Sequence, residues 1–147
     1  SQLWSWIYQK GLTDFSLMSN LSKDYRSKLS NSFHLRRPKL LKKELGSDGT
    51  TKFLLELYDG NKIETVYIPE RNRGTVCTSS QVGCTLNCSF CHTGTQKLVR
   101  NLSSEEIVSQ ILFVKDELSD WSALKKSAHY KEVNFEYRNN GYGRAII

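Results

Sequence analysis

Apolar residues recur at helical spacing in the first thirty residues and predict two short helices. The first covers residues 1–10, and Gly11 ends it, since glycine is the residue that most often stops a helix. The second covers residues 22–29, where the Ser22 hydroxyl can cap the first turn. One side of the first helix carries the apolar residues Leu3, Trp6 and Ile7.

The middle of the chain changes from helical spacing to the alternation that is typical of strands. Residues 52–58 and 62–68 are rich in β-forming side chains and flank the turn sequence Asp59-Gly60-Asn61. Glycine tolerates a positive φ in such a turn, and Pro69 ends the second run. This part of the sequence therefore predicts a β-hairpin.

Residues 71–100 show no clear period and predict a loop, after which the strongest helix pattern begins. Ser103 and Glu106 form the S-x-x-E capping box that marks a helix start, and the helix is predicted over residues 103–118. An apolar stripe with the spacing of a helix face predicts its buried side. That stripe consists of Ile107, Ile111, Val114 and Leu118.

Composition narrows the classes of protein to which the chain can belong. It has 147 residues, 38% of them hydrophobic and 24% charged, which is typical of a globular chain rather than a disordered one. No apolar run approaches the roughly 20 residues that span a bilayer. The first residues are amphipathic and too polar for a secretory signal. We therefore expect a cytoplasmic protein without a membrane segment.

Positive charge is concentrated at the front of the chain. The net charge is +6, and residues 1–50 hold nine Lys and Arg against four Asp and Glu. Such an excess favours an anionic partner, most commonly a nucleic acid, although a solvated loop around Pro38 would explain it equally well. The densest cluster consists of Arg36, Arg37, Lys39, Lys42 and Lys43.

All four cysteines lie in one window, which indicates metal or redox chemistry more than disulfide bonding. Cys84, Cys88 and Cys91 have the spacing C-x3-C-x2-C. Three thiolates on one tight loop can hold three irons of a [4Fe–4S] cluster and leave the fourth iron open. S-adenosylmethionine carries an amine and a carboxylate that can chelate such an iron.

Zinc is the alternative that the spacing leaves open. All four thiolates, including that of Cys77, could form a four-cysteine site, or His92 could join the triplet. Structural zinc sites usually show two separated pairs of ligands, whereas this chain has one tight triplet, and iron–sulfur is therefore favoured. The zinc hypothesis corresponds to an RNA-binding module rather than an enzyme.

Residues 75–94, TVCTSSQVGCTLNCSFCHTG, closely resemble the radical S-adenosylmethionine enzymes that methylate carbon 2 of adenine in 23S rRNA and tRNA. The flanks agree, with Glu64-Thr-Val-Tyr-Ile-Pro-Glu before this stretch and Arg100-Asn-Leu-Ser-Ser-Glu-Glu-Ile after it. The front of the chain also resembles that family's N-terminal helical domain. The resemblance covers residues 2 to about 121.

This resemblance implies roles for six residues. Cys84, Cys88 and Cys91 match the cluster ligands, and Phe90 matches the aromatic residue near bound S-adenosylmethionine. Two further residues match catalytic positions: Cys77, the cysteine that resolves the covalent RNA–protein intermediate, and Glu64, the proton acceptor. The implied partners are 23S rRNA, tRNA and an electron donor such as flavodoxin, and the implied enzyme is a monomer.

The sequence departs from the family in its last part. No cysteine follows Cys91, so the family's methyl-carrying cysteine is missing, and the glycine-methionine-glycine-glutamate-proline motif is missing too. We therefore expect this chain alone to be inactive, and a non-catalytic remnant is a second alternative to the enzyme. One hypothesis explains the departure: codons for residues 135–147, read one nucleotide later, can encode a hydrophobic strand followed by that motif. The tail would then be an out-of-frame product.

The expected fold is α/β, in three parts. Residues 1–68 should form a small helical and hairpin domain, and residues 69–121 the first part of a radical S-adenosylmethionine partial (β/α) barrel with the cluster loop. Residues 122–147 remain an unassigned tail. An incomplete barrel exposes sheet edges and apolar helix faces, which predicts low stability.

Overall fold

The computed structural model describes residues 2–71, 73–84 and 97–121. Contacts divide these residues into two compact units. The first contains residues 2–37 and 112–121, and the second contains the described residues from 38 to 111. The predicted boundary after residue 68 remains a prediction, and the predicted tail over 122–147 lies outside the described residues.

The predicted first helix is present, but its second half has wider turns. Helix α1 covers Gln2–Trp4 and continues as a π-helical segment over Ser5–Gln9, where the Lys10 N–H donates to the Ser5 carbonyl at 3.1 Å. Gly11 follows with a φ of +72°, and a Cβ there would overlap the indole of Trp121. Both the backbone conformation and the close packing therefore require glycine at this position.

The first unit has a small apolar core beneath its second helix. A 3₁₀ turn over Phe15–Leu17 precedes helix α2, Lys23–Ser32, and the Ser22 Oγ accepts from the Tyr25 N–H at 3.3 Å. This confirms the predicted helix and its cap. The core consists of Phe15, Met18, Leu21 and Leu29, with Leu3, Trp6, Ile7, Leu12 and Leu35 packed against it.

A four-stranded antiparallel sheet in the order β1-β2-β3-β4 forms the main part of the second unit. Strands β2, Thr51–Glu56, and β3, Lys62–Pro69, confirm the predicted hairpin. In its turn Gly60 has a φ of +81°, and the Asn61 N–H donates to the Asp59 carboxylate at 3.1 Å. Alternate residues of β2 and β3, including Phe53, Leu55 and Ile63, are buried on one face.

The sequence did not predict the two outer strands of this sheet. Strand β1, Lys39–Leu45, is exposed at every position, so it has no alternation of apolar and polar residues to reveal it. Strand β4, Gly74–Cys77, falls inside the segment predicted as a loop. Its four residues give too short a pattern, and pairing with β3 decides its conformation.

Two short strands and one helix follow the four-stranded sheet. Strand β5, Gln81–Val82, pairs antiparallel with β6, Arg100–Asn101. Helix α3, Ser104–Glu117, begins with both bonds of the predicted capping box. The Ser103 N–H donates to Glu106 Oε2 at 2.8 Å, and the Glu106 N–H donates to Ser103 Oγ at 3.2 Å.

The buried side of α3 differs from the predicted stripe. Ile107, Ile111 and Leu118 are only partly buried, whereas Val114 is buried as predicted. The buried residues of α3 lie between Ser109 and Val114. They include Gln110, which is 0% exposed. Hydrogen bonds to Thr65 of β3 and to Ser79, which follows β4, explain why a glutamine rather than an isoleucine lies inward, as described below.

The fold is therefore mixed α/β, with helices and small antiparallel sheets. The start of a (β/α) barrel is not confirmed, because β1 to β6 pair antiparallel in two small sheets rather than as parallel strands. In the part of the chain that the structure describes, no helix is both long and apolar enough to cross a lipid bilayer.

The capping box generates a prediction about stability. Replacing Ser103 by Ala removes the acceptor of the Glu106 N–H, and we expect the free energy of unfolding to fall by about 1 kcal/mol. Urea denaturation followed by circular dichroism measures this change. Ser104→Ala, at the neighbouring exposed helix position, is the matched control. Equal losses in the two variants would contradict the assigned role of the cap.

Candidate functional site

Glu64 and Cys77 lie on the same face of the four-stranded sheet. Cys77 is paired with Val66 across β3 and β4, and directly paired residues point to the same face. Glu64 precedes Val66 by two residues, so it shares that face and is the diagonal neighbour of Cys77, roughly 7–8 Å away. Both side chains are exposed, on the face opposite Ile63 and Thr65.

Basic and acidic side chains surround Glu64 on this face. The Lys52 ammonium lies 3.3 Å from Glu64 Oε1 and 3.2 Å from Glu44 Oε2. Hydrogen bonds to Glu44 and then to Glu64 raise the pKa of Lys52 above its ordinary value. Because these groups are about half exposed, solvent screens the pairing. Its predicted role as proton acceptor and that of Cys77 as resolving thiol remain predictions.

The β5–β6 pairing closes the cysteine-containing segment at its base. The Val99 N–H donates to the Val82 carbonyl at 2.8 Å, and the Leu102 N–H donates to the Ser80 carbonyl at 2.9 Å. The two described ends of the segment 83–99 therefore lie next to each other. Cys84 stands at the start of this segment and is partly buried. Three of the predicted site residues lie outside the described residues: Cys88, Phe90 and Cys91.

The pairing of β5 with β6 requires a glycine at position 83, directly before Cys84. The φ of Gly83 is +75°, and a Cβ on it would overlap the main-chain carbonyl of Lys97. A side chain at this position would therefore force the two ends of the segment apart. The sequence alone does not predict that the Lys97 carbonyl packs against this glycine.

An ionic junction that the sequence did not predict fixes the end of the same segment. Arg100 donates two bonds to the Glu106 carboxylate, at 2.7 and 2.8 Å, and its Nε donates to Asp59 at 2.9 Å. The bonds from Arg100 hold the pKa of Glu106 and the pKa of Asp59 below their ordinary values. Bonds to Glu106 and then Asp59 raise the pKa of Arg100. One guanidinium thus joins the hairpin turn, β6 and the start of α3.

Ion pairs reduce the charge that the basic cluster can offer. Arg37 Nε lies 2.8 Å from Asp116, and the Arg37 side chain is only 13% exposed, so this arginine is structural. Lys42 lies 2.6 Å from Glu44 on the exposed face of β1. Lys39 is on the same exposed strand. The nucleic-acid interpretation of this cluster therefore depends mainly on β1 rather than on Arg37.

Comparisons with known proteins agree with the resemblance seen in the sequence. Residues 1–35 match the family model of the ribosomal RNA large subunit methyltransferase N-terminal domain. A dual-specificity RNA methyltransferase RlmN from Paracoccus denitrificans is 56% identical over 120 residues, 82% of this chain and 31% of the relative. The enzyme of the same name from Ruegeria sp. is 54% identical over 120 residues, 82% of this chain and 30% of the relative.

A solved structure gives the same result. The radical SAM methyltransferase from Sphaerobacter thermophilus matches with a TM-score of 0.71 and 36% identity, over 81% of this chain and 35% of that protein. The predicted resemblance is thereby confirmed, and the chain spans about a third of the length of the relatives it matches. A 120-residue match within 147 residues necessarily contains all four cysteines.

Gly83→Ala tests the closure of the cysteine segment. We expect the amides of Val99 and Leu102 to exchange with solvent at least about tenfold faster, because the added Cβ displaces the Lys97 carbonyl and opens β5 from β6. Hydrogen exchange followed by mass spectrometry or NMR measures this. Gly60→Ala is the matched control, since Gly60 has a similar φ of +81° but a Cβ there would meet no atom within 4 Å. Unchanged protection in Gly83→Ala would refute the requirement.

The Arg100 junction predicts how stability depends on pH. Lowered carboxylate pKa values stabilise the fold above the ordinary values of 4.5 for Glu106 and 3.8 for Asp59. This stabilisation is lost as the pH falls through the lowered folded-state values. Arg100→Met should therefore be less stable at pH 7 and should lose less stability between pH 7 and pH 3, as measured by urea denaturation.

Arg71→Met provides the matched control for that series. It removes the same charge from an exposed position outside the junction, so its acid-side slope should follow that of the parent chain. If the Arg100 and Arg71 variants show the same slope, the junction does not hold the two carboxylates in their charged form.

Proposed function

From the homology of this chain to the N-terminal third of the dual-specificity RNA methyltransferases, we propose that it forms the cluster-binding part of a radical S-adenosylmethionine enzyme. The substrate of that enzyme is carbon 2 of adenine in 23S rRNA and tRNA. The observation that carries this proposal is the 56% identity over a stretch that contains every cysteine of the chain.

The position of Cys84 in the described residues supports the proposal of a cluster. Cys84 is partly buried at the base of a segment whose two ends are hydrogen-bonded together, and C-x3-C-x2-C supplies three thiolates within it. Cys84, Cys88 and Cys91 would hold a [4Fe–4S] cluster, and Phe90 would lie near S-adenosylmethionine. When bound, such a cluster supplies the electron that cleaves S-adenosylmethionine, and a donor protein such as flavodoxin would supply that electron.

Glu64 and Cys77 would act on the RNA adduct from the exposed face of β3 and β4. Their shared face and their exposure support these roles, because a large RNA substrate can reach both side chains at once. The Glu64 carboxylate would take the proton from carbon 2 of the modified adenine. The Cys77 thiolate, the nucleophilic form of cysteine, would attack the sulfur of the methyl-carrying cysteine in the adduct. A disulfide would form as the sulfur–carbon bond to the RNA breaks, and the electron pair of that bond would stay on the RNA carbon.

Strand β1 would contribute to RNA binding. It is exposed along its whole length and carries Lys39, Lys42 and Lys43. Lys42 is paired with Glu44, so Lys39 and Lys43 would supply most of the positive charge for phosphates. By the same homology we propose that the enzyme acts as a monomer in the cytoplasm. The 147 residues hold no cysteine after Cys91, so we expect them to bind the cluster without methylating RNA on their own.

Metal and sulfide analysis tests the proposal. After anaerobic reconstitution with iron and sulfide, the chain should hold about four irons and about four acid-labile sulfides, as a [4Fe–4S] cluster requires. Cys88→Ser should lose most of both, because it removes a ligand. Cys77→Ser is the matched control and should keep the cluster. Zinc without acid-labile sulfide would overturn the proposal in favour of a zinc-bearing RNA-binding module.

An RNA methylation assay on the same sample tests whether the chain is active on its own, and a positive result would exclude a non-catalytic remnant. With S-adenosylmethionine, a reductant and 23S rRNA, we expect a loaded cluster but no methyl transfer to adenine. Methyl transfer would show that a methyl-carrying cysteine after Cys91 is not needed. Failure to bind either the cluster or RNA would favour a non-catalytic remnant.

A further inference from the structure

Gln110 is a fully buried polar residue whose amide is bonded on both sides. Its Oε1 accepts from the Thr65 hydroxyl at 2.8 Å and from the Ser79 N–H at 2.9 Å. Its Nε2 donates to the Ser79 carbonyl at 2.9 Å and to the Glu106 carbonyl at 3.2 Å. The side chain is 0% exposed, and its bond to the Thr65 hydroxyl is buried, where a hydrogen bond is stronger than in water.

The Gln110 amide replaces a strand as the partner of Ser79. Continuing the register of β3 and β4 would place Ser79 opposite Glu64, but β4 ends at Cys77. The N–H and carbonyl of Ser79 are both bonded to Gln110, while its hydroxyl donates to the Glu64 carbonyl at 2.7 Å. Ser79 is thereby held from two sides, just where the chain turns from β4 towards β5.

We propose that Gln110 is a positioning residue that fixes Glu64 and Cys77 relative to each other. It contacts neither side chain. It bonds Thr65, which follows Glu64, and Ser79, which stands two residues after Cys77. This inference rests on the proposed function only for the importance of Glu64 and Cys77 to the reaction. Their relative position can be tested without a cluster or RNA.

A glutamine suits this position better than an apolar residue of the same size. Leucine would fill the space but would leave the Ser79 N–H and carbonyl without the bonds that Gln110 gives them. Buried main-chain groups without partners are unfavourable, so the segment around Ser79 would shift to find new ones. Such a shift moves Cys77 and leaves Glu64, in the middle of β3, nearly in place.

The test measures the influence of the Glu64 charge on the Cys77 thiol. The 147-residue chain is alkylated with neutral iodoacetamide or with anionic iodoacetate, and mass spectrometry gives each rate at Cys77. The ratio of the two rates reports nearby negative charge, since a change in overall stability affects both reagents equally. At low salt, Glu64→Gln should raise the iodoacetate-to-iodoacetamide ratio about twofold for charges roughly 7–8 Å apart.

In the Gln110→Leu background the same Glu64→Gln change should have less than half of this effect. Thr65→Val, which keeps the shape but removes one bond to Gln110, should also reduce it and serves if Gln110→Leu does not fold. Ser109→Ala is the matched control, because Ser109 is buried on the same helix and shares the Glu106 carbonyl with Gln110, but its hydroxyl bonds neither Thr65 nor Ser79. In that background the full effect should remain.

Two results would overturn the proposal. An unchanged twofold effect in the Gln110→Leu and Thr65→Val backgrounds would show that Gln110 does not set the spacing. No effect of Glu64→Gln in the parent chain would show that the two residues are not close. Loss of cluster binding, by contrast, would overturn the proposed function and leave this measurement intact.

Discussion

The closure of residues 83–99 by the β5–β6 pairing is the constraint on which the candidate site depends. Only two residue pairs form this ladder in the described structure, and hydrogen bonds from Val99 and Leu102 extend it at its ends. Such a short pairing is weak by itself. It persists because Gly83 lets the two chain segments approach and because polar side chains hold the neighbouring backbone.

Two polar side chains support this closure from opposite ends. Gln110 holds the incoming chain at Ser79, and Arg100 holds the outgoing chain by its bonds to Glu106 and Asp59. Glu106 also completes the capping box of α3 through the Ser103 N–H. The first half of one helix, from Glu106 to Gln110, thus bonds to the chain at both ends of the cysteine segment, which explains why the buried side of α3 begins with polar residues instead of the predicted isoleucines.

The same arrangement connects the cysteine segment with the exposed face of the sheet. Ser79 is bonded both to the Gln110 side chain and to the Glu64 carbonyl. These bonds fix the chain between β4, which ends at Cys77, and the cysteine segment. The residues proposed for proton transfer and for resolution of the adduct stand on the paired strands β3 and β4. The residues proposed as cluster ligands lie on the segment that follows, so one backbone path joins the two parts of the chemistry.

The sequence by itself determined the elements and motifs that depend on local chemistry. The hairpin, the Ser22 cap and the Ser103–Glu106 capping box follow from residues close together in the chain, and the cysteine spacing carried the family resemblance. Tertiary structure alone decided the exposed strand β1, the short strand β4, the inward orientation of Gln110 and the Arg100 junction with Asp59. The bonds of Gln110 and Arg100 require partners dozens of residues away, β1 is fully exposed and has no apolar period, and β4 is too short to show one. Local propensity depends on neighbouring residues. A hydrogen bond or ion pair between distant residues forms only after folding has brought its two partners together.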